Sequence, residues 1–250
     1  MKNFIGTAAW NIPKLHSELF PLEGTHLYRY SQIFNSVEIN SSFYKHHQNK
    51  TYSKWANIVP EDFRFSVKLS KVFTHDNRFV VDENLFLDSV DAIMHLEQKL
   101  GVILIQIPPS FKFDPYVSEA FFKLLRRLYK GPIAFEPRHG SWLDQEAQNQ
   151  LLEFKISKVI ADPTPCSGGD PQIYQAGGVV YYRLHGTPEI YKSPYEASYL
   201  QSLAAAISYT ENAWCIFDNT TFGHATENAL ALKHLINQRG VEHESYNTNV

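Results

Sequence analysis

Cysteine is scarce in this chain: Cys166 and Cys215 are the only two in 250 residues. They lie far apart and without a metal-type spacing, which excludes a disulfide framework or a zinc ribbon and fits a reducing compartment. Long apolar runs are missing as well. No stretch approaches the length that spans a bilayer, and the segment 1–10 is too short and too weakly basic for a secretory signal. The expectation is a cytoplasmic protein with no membrane partner. Nor is there a surplus of one charge: 23 Lys and Arg against 26 Asp and Glu give a net charge of -3. That argues against a strongly basic nucleic-acid surface while leaving room for a local positive site. Internal repeats, low-complexity tracts and linkers are also lacking, so the chain reads as one domain over residues 1–240 with a frayed polar tail over 241–250.

What is present is an alternation. Short runs rich in β-branched and aromatic residues recur at Phe4–Trp10, Ser36–Asn40, Phe63–Leu69, Val102–Ile107, Ile133–Pro137, Ile156–Asp162, Val179–Gly186 and Ala213–Asn219, which predicts eight strands. Helical spacing fills the gaps, most clearly over 83–100, 116–129, 144–154, 195–209 and 226–238. The first connection looks helical only near Tyr28–Ile33, and the stretch 163–178 reads as a loop. Gly168-Gly169 and Gly177-Gly178 in and beside it suit a flexible loop better than a phosphate cradle. Near-continuous apolar strands such as Val102–Ile107 suit a parallel sheet covered by helices. Eight βα units predict a closed (β/α)8 TIM-type barrel. A doubly wound open sheet is the runner-up, weakened because no strand leads into a Gly-rich dinucleotide turn.

In such a barrel the site lies at the C-terminal strand ends, and polar residues gather there. Side chains alternate along a strand. Glu38 and Asn40 therefore share one face while Val37 and Ile39 take the other, and Arg183 shares a face with His185, as Glu136 does with Arg138. Lys68, Gln106, Asp162 and either Asp218 or Asn219 complete a ring, with Asn219 carried forward as the ligand contact. Burying so many charges is costly unless they pair with one another or with a ligand. The arginines can clamp a phosphate or carboxylate, while Glu136 or Glu38 and His185 move protons. A desolvated Lys68 can serve as a base or Schiff-base nucleophile.

The motifs Ile5–Trp10, Phe34–Tyr44, Phe63–Lys68 with Thr74-His75, Gln106–Phe111, Phe135–Trp142, Arg183–Gly186, and Phe217–Thr220 with Asn228-Ala229 together resemble the YecE-like family, domain of unknown function seventy-two. The resemblance covers nearly the whole chain. It implies a TIM-type barrel, akin at the level of fold to the endonuclease-IV and xylose-isomerase group, and it implies no particular reaction. Three positions depart from the family's usual pattern: Ala8-Ala9 before the first tryptophan, Pro137 where phenylalanine is common, and Asp218 where asparagine is frequent.

Each functional reading has a plain counterpart. Glu136, Arg138 and His139 can form a rim-locking ion pair, and Arg183 and His185 can satisfy backbone carbonyls. Trp10, Phe43, Tyr44 and Trp142 can stack on a sugar or base, or simply fill space. His75 is a ligand contact or a surface cap, and His46-His47 is surface. No cofactor is required by the sequence. A divalent metal held by Glu136, His139, Asp162 and His185 stays open, although the short ligand spacings are missing. The leading expectation is an enzyme, of hydrolase, isomerase or lyase type, acting on a phosphate-containing small molecule or nucleic-acid-derived ligand, with a monomer favoured. Alternatives are a carbohydrate-active or sugar-binding barrel that uses Glu38 with Glu136 as a carboxylate pair, and a non-enzymatic nucleic-acid or protein binder.

Overall fold

The computed structural model describes residues 3–164 and 166–247, with side chains through residue 238. Among the described residues nine strands form: β1 (Phe4–Thr7), β2 (Ser36–Ile39), β3 (Arg64–Lys68), β4 (Leu100–Gln106), β5 (Ile133–Glu136), β6 (Ile156–Lys158), β7 (Ile160–Asp162), β8 (Val180–Leu184) and β9 (Ala213–Phe217). They make two all-parallel sheets, one ordered β2-β3-β4-β5-β6 and the other β1-β9-β8-β7. The single eight-stranded (β/α)8 TIM-type barrel expected from the sequence is therefore corrected to two parallel sheets of five and four strands. The runner-up, one open doubly wound sheet, is corrected with it.

Two local features mark the divisions. The run Ile156–Asp162 divides at Val159, whose N–H makes the last bond to β5 at the Phe135 carbonyl, 2.8 Å, while Ile160–Asp162 pair with β8 in the other sheet. Between β1 and β2 a tyrosine replaces the ladder. The Thr7 N–H donates to the Tyr30 hydroxyl at 2.8 Å, and that hydroxyl donates to the Ser36 carbonyl at 3.1 Å. Asn35 acts similarly, its Oδ1 accepting from the Ile5 N–H at 2.9 Å. Direct pairing across this seam shrinks to one bridge, Ala8 with Glu38. Gly6 permits the close approach, since a Cβ there would lie 2.0 Å from the Ser36 oxygen.

Eight α-helices are described: α1 (His26–Ser31), α2 (Ser41–Tyr44), α3 (Asn49–Ile58), α4 (Glu83–Met94), α5 (Pro115–Leu128), α6 (Gln145–Glu153), α7 (Ala197–Ile207) and α8 (His224–Asn247). Local chemistry starts several of them. Asp82 caps α4 by accepting from the Leu85 N–H, and Asp114 caps α5 ahead of Pro115, where a missing N–H costs nothing. Helix α8 continues through Asn247, into the segment expected to be a frayed tail, while residues 248–250 lie outside the described residues. The loop 163–178 carries a short 3-10 turn, Pro171–Tyr174, capped by Asp170. No helix among the described residues is long and apolar enough to cross a membrane.

The strand pleat sorts the core into two. One face sends Val37, Ile39, Val67, Ile103, Ile105 and Phe135 toward the helices. The other sends Phe4, Val102, Leu104, Ala134, Tyr181, Trp214 and Ile216 into a smaller cluster shared by the two sheets. Each large apolar side chain so buried contributes roughly 1.5–3 kcal/mol. The same inward face, followed one or two residues further along each strand, becomes polar, and there the candidate site begins.

Candidate functional site

Glu38 ends β2's inward face, Lys68 that of β3, Gln106 that of β4 and Glu136 that of β5, while Arg183 lies on β8, with His185 and Asp218 just beyond β8 and β9. All seven are buried. Their organiser is Arg183, 1% exposed. Its Nε and Nη2 donate to both oxygens of Glu38, with a shortest contact of 2.8 Å. Its Nη1 reaches Glu136 Oε2 at 3.2 Å, and its Nη2 lies 2.9 Å from Asp218 Oδ2. Gln106 Oε1 accepts a longer bond from Nη1 at 3.4 Å. One guanidinium thus ties together three carboxylates from three strands. Glu38 has no spare capacity, for its Oε2 also accepts from the Tyr181 hydroxyl at 2.9 Å, and that hydroxyl in turn accepts from Ser66 at 2.7 Å.

His185 is held on both sides. Its Nε2 meets Glu136 Oε1 at 3.0 Å and its Nδ1 meets Asp218 Oδ2 at 3.1 Å. Burial by itself favours the neutral ring, but hydrogen bonds to Asp218 and Glu136 outweigh it and raise the imidazole pKa. The carboxylates respond in the opposite direction. Burial would raise Glu136, yet Arg183, His185 and Arg138 hold it well below the usual carboxylate range, and Asp218 is lowered against burial by Arg183 and His185. Arg138 completes this side, donating from Nε and Nη2 to Glu136 Oε1 at 3.1 and 2.8 Å while its side chain stays 17% exposed.

Lys68 differs from every other charge in the ring. Its Nζ stands 4.0 Å over the Phe43 ring and makes no hydrogen bond or ion pair among the described residues. Burial, together with repulsion from Arg183, lowers its pKa to about 8, although Glu38, Glu136 and Asp218 pull the other way. It lines a cavity of about 90 Å³ with Ser42, Tyr44, Lys45, His46 and Phe73. Among the described residues no Asp or Glu lines that cavity. Its rim is a single π-helical turn, Val72–Asp76, a backbone form found disproportionately at functional positions. His75 sits on that turn, with Nδ1 2.9 Å from the Thr74 hydroxyl and its ring edge-on to Phe43 at 4.9 Å. Burial first and Lys68 second lower its pKa, favouring the neutral ring.

Of the residues singled out in the sequence, Glu38, Lys68, Gln106, Glu136, Arg138, Arg183 and His185 come together, with Tyr44 and His75 close by on the Lys68 side. The others do not join them. Trp142 is corrected from stacking platform to core: it is 0% exposed, packs on Phe135 at 4.5 Å and donates to the Phe111 carbonyl. His139 turns to Ser141, whose backbone N–H it caps. Asp162 accepts from Thr187 at 2.6 Å and from Tyr195 at 3.1 Å. Asn219 is also corrected. Its Nδ2 serves the Ser193 carbonyl and Asn228, and its neighbour Asp218 occupies the ring position. Trp10 leans edge-on against Trp55 at 5.1 Å. Asn40 precedes α2, with its Oδ1 buried and without a hydrogen-bond partner.

Of the four residues considered for a metal, Glu136 and His185 meet while His139 and Asp162 turn to other partners, and among the described residues no group of three or more His, Cys, Asp and Glu is arranged to hold one. Glu136 and His185 engage each other and two arginines, a donor set suited to proton transfer rather than to coordination. Sequence reasoning missed Tyr181 and Ser66 as supports of Glu38. Period-2 counting back from Arg183 and Lys68 would have found both.

A family model described as "Protein of unknown function DUF72" matches residues 4–249. The UPF0759 protein YunF of Bacillus subtilis is 27% identical over 201 residues, 73% of this chain and 70% of that protein. The UPF0759 protein YecE of Escherichia coli K12 is 25% identical over 175 residues, which cover 67% of this chain and 62% of that relative, less than two thirds of its length. Among solved structures, a DUF72 family protein from Thermotoga maritima superposes with a TM-score of 0.75 at 23% identity, covering 95% of this chain and 100% of that one. A second, from Enterococcus faecalis, gives 0.75 at 23% identity, covering 94% and 96%. At this identity the two structures speak for a shared fold alone.

Proposed function

We propose, on the premise that this chain belongs to the DUF72 family of proteins of unknown function, that it is an enzyme for a phosphate-containing small molecule or nucleic-acid-derived ligand, bound at the polar end of the space between the sheets. One observation carries this reading: Lys68 is buried with no hydrogen-bonded or ion-paired carboxylate among the described residues, beside a cavity that no described Asp or Glu lines. A cation left so placed costs several kcal/mol unless a ligand neutralises it. The roles then divide. Lys68 and the open side of Arg138 take the anion, as point charge and fork respectively. Arg183 and Glu38 hold the frame, since every group they offer is already engaged. His185, whose hold on a proton is strengthened by Asp218 and Glu136, is the proton donor, and Glu136 is its acceptor partner.

The carbohydrate reading loses support on two counts. Trp142 is sealed in the core, and Glu38 and Glu136 are shared by one guanidinium, which leaves no free acid with a facing nucleophile.

Titration calorimetry with inorganic phosphate at low salt tests the proposal. The parent protein is expected to bind, and Arg138→Met to bind about tenfold more weakly, a loss of about 1.4 kcal/mol. Melting curves of both proteins establish that the variant is folded. A parent protein that shows neither heat nor a phosphate-dependent rise in melting temperature overturns the reading.

A further inference from the structure

Neutralising an anion would be served equally well by a solvated arginine at the rim, so the burial of an unpaired primary amine calls for more. The Lys68 Nζ rests on an aromatic face, donates no hydrogen bond to protein among the described residues, and borders the cavity between the end of β3, α2 and α4. An amine without hydrogen-bonded partners keeps its lone pair available once the proton leaves, and low polarity favours that departure. The cavity is small, about 90 Å³, which suits a chain of two or three carbons. The charged and ionisable groups facing Lys68 are Arg183, Glu38, Glu136 and Asp218 on the ring side and His75 on the π-turn. Lys45, His46 and His47 line the cavity side, where an anionic substituent would be welcome.

We propose that Lys68 is a nucleophile that forms a Schiff base with a short, anionic carbonyl compound, such as a 2-oxo acid or a phosphorylated two- or three-carbon aldehyde or ketone. The inference rests on the anion-binding reading above and names its substrate class. The step balances without a further reactant. The neutral amine adds to the carbonyl carbon as the C=O π pair moves to oxygen, the carbinolamine oxygen takes up protons and leaves as water, and a C=N bond forms. Ammonium plus carbonyl thus gives iminium plus water with no net proton gained or lost. His75, carried by the adjacent turn edge-on to the same Phe43 ring that Lys68 caps and shifted toward its neutral form, is assigned as the base for the proton that Lys68 must release.

Reductive trapping tests this on the unaltered full chain. The protein is incubated with glyoxylate and sodium cyanoborohydride, digested, and mapped by mass spectrometry, with the exposed Lys54 and Lys112 as internal references. Lys68 is expected to be modified roughly tenfold faster than either reference, because Lys45, His46 and His47 gather the carboxylate of glyoxylate in the cavity beside an amine that sheds its proton more readily than an exposed lysine does. Acetaldehyde, which lacks the anionic group, should lose most of that preference. Labelling of Lys68 no faster than Lys54 and Lys112, in protein that still binds inorganic phosphate, overturns the carbonyl chemistry and leaves the anion site standing. If phosphate binding is absent as well, both readings fail together.

Discussion

Arg183→Met is expected to lower the stability of the folded chain by about 3–5 kcal/mol at neutral pH, the usual cost of removing one partner from a buried ion pair. Here the residue left behind is not one carboxylate but three, since Glu38, Glu136 and Asp218 all lean on the same guanidinium. Methionine restores volume and apolar contact, so the loss reports uncompensated charge rather than a void. The sign of its pH dependence follows from the native carboxylates. Glu136 and Asp218 are held below their ordinary values, so their stabilising share is present above the normal carboxylate range and disappears as pH falls through the folded-state pKa values. The difference between parent and variant should therefore be large at neutral pH and shrink in acid. Urea unfolding at several pH values checks it, and a variant within about 1 kcal/mol of the parent at neutral pH would show that the three carboxylates do not depend on Arg183.

Lys68→Met should do the reverse. The folded chain holds Lys68 at about 8, against about 10.4 for a solvated lysine. Below both values the protonated amine is carried into the fold at a cost of roughly 3 kcal/mol. Between them the unfolded chain binds a proton that the folded chain does not, so the stability of the parent rises as pH climbs through that window. Methionine removes the charge and keeps the stem on Phe43. We expect a gain of about 1–3 kcal/mol at neutral pH, a flatter profile on the alkaline side, and loss of phosphate binding. Stabilisation joined to loss of binding is the signature of a residue kept for a ligand. A variant less stable than the parent would mean that the ammonium has a protein partner after all.

These two residues also mark where the sequence was legible. Arg183 and His185 stand two apart on an otherwise apolar run, as do Ser66 and Lys68, and alternation alone sends such pairs to one side of a sheet. The helices α4 to α7 could be read because each presents an apolar stripe of ordinary length, whereas α8 was legible only over 226–238 and runs on through Asn247. The division into two sheets could not. Ile156–Asp162 contains no Gly or Pro to mark the break at Val159, and the seam between β1 and β2 depends on a hydroxyl from Tyr30, more than twenty positions from Thr7. The choice between Asp218 and Asn219 failed because β9 is apolar on both faces, leaving no polar register to count from. Trp142 beside His139 looked like an exposed platform, and only its long-range bond to the Phe111 carbonyl reveals a core residue. Local periodicity thus carries the inward chemistry of each strand, while contacts between distant segments decide how strands join and which aromatics are sealed away.

On the proposed reading, Lys68 is the charge in the ring that waits for a ligand's negative charge. Nuclear magnetic resonance titration of the lysine Cε and Nζ signals, with Lys68 assigned by its disappearance in Lys68→Met, measures this directly. The expected midpoint is about 8 in the free protein, with a clear upward shift when inorganic phosphate is added. A Lys68 signal that titrates with the exposed lysines, at about 10.4 with or without phosphate, would contradict it.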